Sequence, residues 1–161
     1  MAKRKNKEFV VDIFIPFDKP PTKQRGRAAP VFAKGRFIKV QVWTPAETKK
    51  NMKKIASYVS KQVTDYDGKH VFKLKVTALF KRPAALMKKM TEDIIIIGKG
   101  GSYPDWDNIG KIVSDGLNKY VWNDDAQVGD GRAIRRYIRK VDGVWEEPGL
   151  KIKISVIGEI I

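Results

Sequence analysis

The chain has 161 residues, a hydrophobic fraction of 42% and a formal net charge of +15 at pH 7. It contains no cysteine and a single histidine, which excludes disulfides, zinc–thiolate sites and cysteine nucleophiles and disfavours a histidine-based zinc site or a Ser-His-Asp triad. This length predicts a single domain over 1–161. The excess of positive charge favours nucleic acid as the partner, ahead of an anionic membrane surface.

The positive charge is concentrated in the first half of the chain. Residues 1–90 hold 23 Lys and Arg against 6 Asp and Glu, whereas residues 91–161 hold 10 against 12. Residues 1–8 form a basic arm that we expect to be flexible. No stretch is apolar over the length of a signal peptide or the ~20 residues of a membrane span, so we expect a cytoplasmic protein without a membrane partner.

The first elements are a strand, a basic loop and a hairpin. Residues 9–17 are rich in β-branched and aromatic residues and predict a strand. The proline-containing loop that follows carries Lys23, Arg25 and Arg27, which are candidate DNA contacts because guanidinium groups match phosphate oxygens. A solvated loop is the alternative. Residues 31–43 predict a hairpin around Lys34-Gly35.

A helix and a strand follow the hairpin. Thr44 as the capping residue, Pro45 in the first helical position and Glu47 as the reciprocal capping partner predict a helix that extends to about Gln62. Strict alternation of apolar and polar residues over 71–81 predicts a half-buried strand.

The second half of the chain predicts a short helix near Pro83–Met90, a helix over 107–121 that ends in the polar turn 122–125, and strands over 132–141 and 149–158. Asp142-Gly143 is a candidate hairpin turn between those strands. Residues 94–97 are expected to form a buried strand or plug, and residues 98–104 a flexible loop. The whole pattern predicts an α+β fold, a small mixed β-sheet with helices packed mainly on one face.

Candidate catalytic residues lie in 105–125, where five aspartates gather in an otherwise cationic chain. Asp105 and Asp107 are two residues apart at a loop-to-helix junction, so both carboxylates can face one hard cation such as Mg²⁺. Asp124 or Asp125 joins them only if the following strand returns alongside the helix. Lys111, one turn after Asp107, is placed to stabilise negative charge on a phosphate. This combination favours metal-dependent phosphodiester hydrolysis.

Other interpretations of the same residues remain open. Asp107 as a helix cap, with Lys111 and Asp115 in ordinary i,i+4 ion pairs, explains the row without any chemistry. A non-enzymatic nucleic-acid-binding protein explains the charge without cleavage. An EF-hand is rejected because Ile109 and Gly116 occupy two of its ligand positions.

The residues of 105–128 resemble a known family. The pattern Asp105-x-Asp107-Asn108-x-x-Lys111-x-x-x-Asp115, followed by Asp124-Asp125-x-Gln127-Val128, is similar to that of the RusA-type Holliday junction resolvases, small and often prophage-borne endonucleases. The strand ending in proline, the basic loop and the following helix also fit the family.

The resemblance implies a homodimer that nicks opposing strands of a four-way DNA junction with Mg²⁺, for which Mn²⁺ can substitute, in DNA recombination and repair. By position it implies that Asp105, Asp107 and Asp125 are metal ligands, with Asp124 as the second choice, and that Lys111 is the catalytic lysine. Trp106, between two implied ligands, is a further candidate DNA contact. A Mg²⁺ nuclease for other branched or duplex DNA is the remaining alternative.

Overall fold

The computed structural model describes residues 10–24, 26–63, 68–97 and 103–161. The basic arm 1–8, Arg25, most of the turn near Asp65 and most of the loop 98–104 lie outside these ranges. The strands are β1 Val10–Pro16, β2 Arg27–Ala33, β3 Arg36–Trp43, β4 His70–Phe80, β5 Val128–Tyr137, β6 Lys140–Val141, β7 Val144–Trp145 and β8 Gly149–Glu159. The helices are α1 Ala46–Val59 and α2 Trp106–Gly116, with short 3₁₀ helices at Ala84–Lys89 and Asp125–Gln127.

Four strands form one mixed sheet in the order β1-β8-β4-β5. β8 is antiparallel to both of its neighbours, and β5 is parallel to β4. The β2–β3 pair and the β6–β7 pair form separate two-stranded ribbons. The predicted α+β class with a small mixed sheet is confirmed.

The core lies between the sheet and the two helices. Alternate residues of β4 from Phe72 to Phe80 are at most 3% exposed, as the sequence alternation predicts. They form one cluster with Ile55 of α1 and Ile112 of α2, so both helices cover the same face of the sheet. Full burial of each such aliphatic side chain contributes about 1.5–3 kcal/mol. The two helices approach closely at Gly116, where an added Cβ would lie 3.4 Å from the Met52 backbone.

Helix α1 begins one residue later than predicted, and its predicted cap is wrong. Pro45, rather than Thr44, is the capping residue, with extended backbone angles and no side-chain hydrogen bond. Glu47 contacts Gln24 of the basic loop at 3.4 Å instead of closing a capping box. The helix nevertheless buries an apolar side, because Ile55, Ala56 and Val59 are at most 3% exposed.

Helix α2 ends at Gly116, five residues before the predicted end. Lys119 adopts a left-handed conformation (φ 67°), and its N–H bonds the Trp122 carbonyl at 2.7 Å. This turn brings Trp122 into the core, where it is fully buried, packs 5.5 Å from Phe72 and donates its indole N–H to Ser114 O. The chain therefore leaves the helix because the largest apolar side chain of this segment is buried against the sheet. Tyr120, which precedes Trp122 in the turn, is 48% exposed.

Two other predictions are corrected. Asp142-Gly143 turns between β6 and β7, not between the two long strands, which are not neighbours because β4 lies between them. Within 94–97, only Ile96 is buried, and Ile97 is 96% exposed.

The short helix at 84–89 is a 3₁₀ helix. The buried Arg82 guanidinium anchors it by donating to the carbonyls of Leu86, Lys89 and Glu92.

A buried ion-pair cluster ties the β6–β7 ribbon to the sheet. Arg136 donates to both carboxylate oxygens of Glu146, at 2.6 and 2.7 Å, and Lys151 donates to the same carboxylate at 3.1 Å. Burial by itself would raise the pKa of Glu146. The hydrogen bonds from Arg136, Lys151 and the Arg139 backbone outweigh that effect and lower its pKa to about 2.

No helix of the described residues is long and apolar enough to cross a membrane.

We expect Glu146→Gln to lower the free energy of unfolding by about 2–3 kcal/mol at pH 7, because it leaves the Arg136 guanidinium without its buried counter-charge. Since the folded pKa of Glu146 is depressed, its contribution is complete above the ordinary glutamate pKa and is lost as the pH falls towards 2. Urea unfolding at pH 7 and at steps down to pH 2 measures this. Exposed Glu147→Gln is the matched control and should change little. An unchanged difference between wild type and Glu146→Gln at pH 2 would contradict the assignment.

Candidate active site

A pocket of about 290 Å³ lies between helix α2 and strands β4 and β5. Asp107 and Lys111 of α2 line it, and so does Asp125 from the turn that precedes β5. The chain therefore returns alongside the helix, as a site built from both segments requires. Trp106, which is 59% exposed, lines the same pocket.

Asp107 and Lys111 form an i,i+4 pair on the exposed side of α2. The Lys111 ammonium lies 3.4 Å from an Asp107 carboxylate oxygen, and the two side chains are 58% and 42% exposed. A pair this open to water contributes little to stability, in general no more than about 1 kcal/mol. Either side chain can therefore leave this ion pair and bind a ligand at a small cost in free energy.

The two adjacent aspartates of the turn have different roles. Asp124 is the capping residue of the 3₁₀ helix: its carboxylate accepts the Ala126 N–H at 2.9 Å, and this hydrogen bond is the main reason that its pKa is lowered. Asp125 lines the pocket. Its pKa is raised, first by partial burial and then by the neighbouring Asp124 and Asp115 carboxylates. Negative charge is thus disfavoured at Asp125, whereas at Asp124 it is stabilised by the backbone.

Gln127 holds this turn in place, and sequence reasoning gave it no role. Its side-chain oxygen accepts the Asn123 N–H at 2.8 Å, and its amide nitrogen donates to the His70 carbonyl of β4 at 2.9 Å. The side chain closes a reciprocal capping box with Asp124 and is buried. The spacing Asp-x-x-Gln was the available signal, since it is the spacing of a capping box.

Asp105 is the capping residue of α2 and is exposed, but it is not among the residues that line the pocket. The position of the segment before it is fixed by Arg135 of β5, whose guanidinium donates to the Pro104 carbonyl at 3.0 Å. Within the described ranges, no three side chains of Asp, Glu or His come together closely enough to hold a metal ion. The structure thus places two of the three implied ligands at one pocket and the third at the helix end beside it.

The predicted DNA contacts are placed differently from one another. Lys23 pairs with Asp115 of α2, and its backbone N–H bonds the Asn108 carbonyl at 3.2 Å, so the basic loop is attached to the site helix. Arg27 is exposed at the start of β2. Arg25 lies outside the described residues. Arg132 of β5 lines the pocket and is a cation that sequence reasoning missed, because strand pairing rather than spacing brings it there.

Carboxylates and a lysine around one pocket, beside a cationic loop, are groups expected in a protein that acts on a phosphate backbone. The family comparison agrees: the model of the endodeoxyribonuclease RusA family matches residues 18–155. The chain belongs to the RusA family of endodeoxyribonucleases. No curated protein matches the chain at a significant level.

We expect Asp125→Asn to raise the melting temperature at pH 7 by roughly 1–3 °C without divalent cations, because it removes a carboxylate charge that the fold disfavours. A raised folded pKa means that this cost is full at neutral pH and vanishes below the ordinary aspartate pKa, so the gain should disappear near pH 3. Thermal unfolding at both pH values measures it. The adjacent Asp124→Ala is the control with the opposite sign, lowering the melting temperature by about 2–4 °C through loss of the cap. Equal effects of the two changes would contradict the distinction.

Proposed function

We propose that this protein is a Mg²⁺-dependent, structure-selective endodeoxyribonuclease that resolves four-way DNA junctions by paired phosphodiester hydrolysis, as a homodimer, in cytoplasmic DNA recombination and repair. The observation that carries the proposal is the meeting of Asp107, Lys111 and Asp125 at one pocket in a cationic RusA-family chain. The family alone supplies the coarser activity, endodeoxyribonuclease.

The side chains around the pocket fit Mg²⁺. This ion is commonly held by one or two carboxylates, with waters and substrate phosphate oxygens completing its coordination. Asp107 and Asp125 supply two hard oxygen donors, and Asp105 lies two residues from the first. The raised pKa of Asp125, caused first by burial and then by the neighbouring carboxylates, is consistent with a site that favours a dication. Mn²⁺ takes the same donors.

When bound, Mg²⁺ would supply charge neutralisation and a lower pKa for the attacking water. In the hydrolysis, a water oxygen forms a new bond to phosphorus, one phosphorus–oxygen bond to a sugar breaks, and a proton goes to the departing sugar oxygen. Lys111 can leave its exposed pair with Asp107 and place its ammonium on a non-bridging phosphate oxygen, where negative charge grows in the transition state.

Binding of DNA would be dominated by phosphate contacts, because the chain carries a net charge of +15. Arg132 lines the pocket and Arg27 is exposed at the end of the basic loop, so both are available to phosphates. Trp106, beside Asp107 and largely exposed, is available to stack on a sugar or base. Two nicks on opposing strands require two copies of this pocket, which is the reason for proposing a homodimer.

We expect Asp107→Asn to reduce junction cleavage by at least about 100-fold while junction binding stays equal or becomes tighter, since a negative charge facing the DNA is removed. Cleavage of a labelled four-way junction and of a linear duplex of matched sequence, with Mg²⁺ and with EDTA, measures this. Asp12→Asn is the matched control, because Asp12 is an exposed aspartate of β1 in an ion pair with Lys153.

The same experiment separates the alternatives. If the wild type binds the junction but cleaves it under no metal condition, the enzyme proposal is contradicted and a non-enzymatic nucleic-acid-binding protein is favoured. Equal cleavage of duplex and junction would favour a nuclease of other specificity. Full cleavage activity of Asp107→Asn would show that Asp107 is not part of the active site.

Lys111→Met should lower the single-turnover rate of junction cleavage by roughly 100-fold with little change in the dissociation constant, because the lysine acts on charge that develops only in the transition state. Lys50→Met on α1 is the control, since Lys50 is an exposed lysine away from the pocket. Single-turnover kinetics and binding isotherms at one salt concentration check both values. A loss confined to binding would show Lys111 to be an ordinary phosphate contact.

A further inference from the structure

A second pocket, of about 510 Å³, lies between the β2–β3 ribbon, the basic loop and the first turn of α1. Its walls include Gln24, Arg27, Trp43, Glu47 and Lys49. We name it the Trp43 pocket. None of these five residues lines the candidate active site, so the pocket is a separate feature of the molecule.

The pairing of the two ribbon strands brings a cation and an aromatic ring together at this pocket. Arg27, the first residue of β2, is the register partner of Trp43, the last residue of β3. Directly opposed residues of an antiparallel pair have Cβ atoms about 4.5–5.5 Å apart and lie on the same face of the ribbon. Trp43 is 42% exposed, so part of its indole is accessible. A guanidinium beside an accessible indole can bind the phosphate and the base of one nucleotide.

The basic loop and α1 supply the polar groups on the other side of the pocket. The loop lies close to β3 at Gly26, where an added Cβ would be 3.2 Å from the Val42 side chain. Nearby, the Gln24 side-chain amide donates to the Glu47 carboxylate at 3.4 Å. Lys49 of α1 is exposed and is the second cation of the pocket. Two cations against one carboxylate favour an anionic ligand.

Exposed lysines continue from the Trp43 pocket towards the candidate active site. Lys49 and Lys53 are four residues apart on α1, and both line a further pocket of about 250 Å³ between the two helices. Asp115 of α2 lines the same pocket, one turn beyond Lys111, which is about 6 Å along the helix axis. A DNA strand with a phosphate at the active site can therefore follow these lysines to the Trp43 pocket.

We propose that the Trp43 pocket binds one unpaired nucleotide of the DNA substrate, with its phosphate on Arg27 and Lys49 and its base stacked on Trp43. Bases inside a duplex are covered by their neighbours, whereas an unpaired base has a free face for an aromatic side chain. Such a contact distinguishes unpaired DNA from duplex, which phosphate contacts alone do not. The identity of the ligand rests on the proposed function, because a branched substrate supplies nucleotides outside a continuous duplex.

The first test measures binding of a single strand in EDTA, where no cleavage is expected. We expect a labelled oligothymidylate of about eight nucleotides to bind the full-length protein, and Trp43→Ala to weaken its affinity roughly tenfold, the usual effect of losing one base–aromatic stack. Trp43→Phe keeps an aromatic ring and should retain most of the affinity. Phe37→Ala is the matched control, since Phe37 is an exposed aromatic residue of the same strand and does not line the pocket. Because both replaced side chains are exposed, the circular dichroism spectra should not change.

The second test compares forms of DNA under the same conditions. Trp43→Ala should weaken binding of a four-way junction roughly tenfold, as for the single strand, and binding of a linear duplex by less than about twofold, because the duplex offers no free base face. Deoxythymidine monophosphate should compete only weakly, since it lacks the neighbouring phosphates that reach the α1 lysines.

A third measurement tests the phosphate contact without changing the ribbon. Lys49→Met should reduce the slope of log affinity against log salt for the single strand by about 0.7, the value for one phosphate contact. Lys50→Met is the control, because Lys50 is an exposed neighbour on α1 that does not line the pocket.

Four results would overturn the proposed nucleotide site. Trp43→Ala could bind the single strand as tightly as Phe37→Ala does, or it could weaken single strand and duplex equally, which would make Trp43 a general backbone contact. An unaffected junction would separate the pocket from the substrate, and tight binding of the mononucleotide alone would make it a site for a free nucleotide. None of these measurements depends on metal or cleavage, so failure of the nucleotide site and failure of the nuclease proposal are distinguishable.

Discussion

The parallel pairing of β5 with β4 is the constraint on which the candidate site depends. Helix α2 crosses between these two strands, and the chain then returns next to the helix it has just left. Asp125 precedes β5 and Asp107 opens α2, yet both line one pocket because the crossover is closed by burial of Trp122. Gln127 fixes the same turn to the first residue of β4. The chemistry of the site therefore depends on interactions that are themselves remote from any substrate.

Charge is distributed unevenly along the chain. The first half of the sequence supplies most cations, and the second half supplies the aspartates of the pocket. The pairing of Lys23 with Asp115 is where the two halves meet. The two aspartates of the turn also differ: the backbone stabilises the charge of Asp124 and lowers its pKa, whereas burial and the neighbouring carboxylates disfavour the charge of Asp125 and raise its pKa.

Local patterns predicted the elements well and their ends less well. The alternation in β4, the Lys34-Gly35 turn, where both residues have positive φ, and the site helix were all readable, because each depends on neighbours in sequence. The end of α2 could not be predicted in this way, because Leu117 and Val121 continue the helical spacing. The helix ends early because Trp122 is buried in the core, and that packing is visible only in the structure. Arg132 was missed because strand pairing across the sheet gives it its position, whereas the capping-box spacing of Gln127 with Asp124 was a local signal. Of the implied ligands, Asp107 and Asp125 share the pocket, and the metal itself stays a proposal.

Arg135 anchors the chain on both sides of residues 98–102. Its backbone carbonyl accepts the Ile96 N–H at 2.9 Å, and its guanidinium binds the Pro104 carbonyl at 3.0 Å. The two ends of the intervening segment are thus attached to one residue of a long strand. The number of residues between them can change without moving Asp105, because a longer connection adds only a small closure entropy. We therefore expect a peptide tag or fluorescent label inserted at this point to leave the neighbouring helix in place.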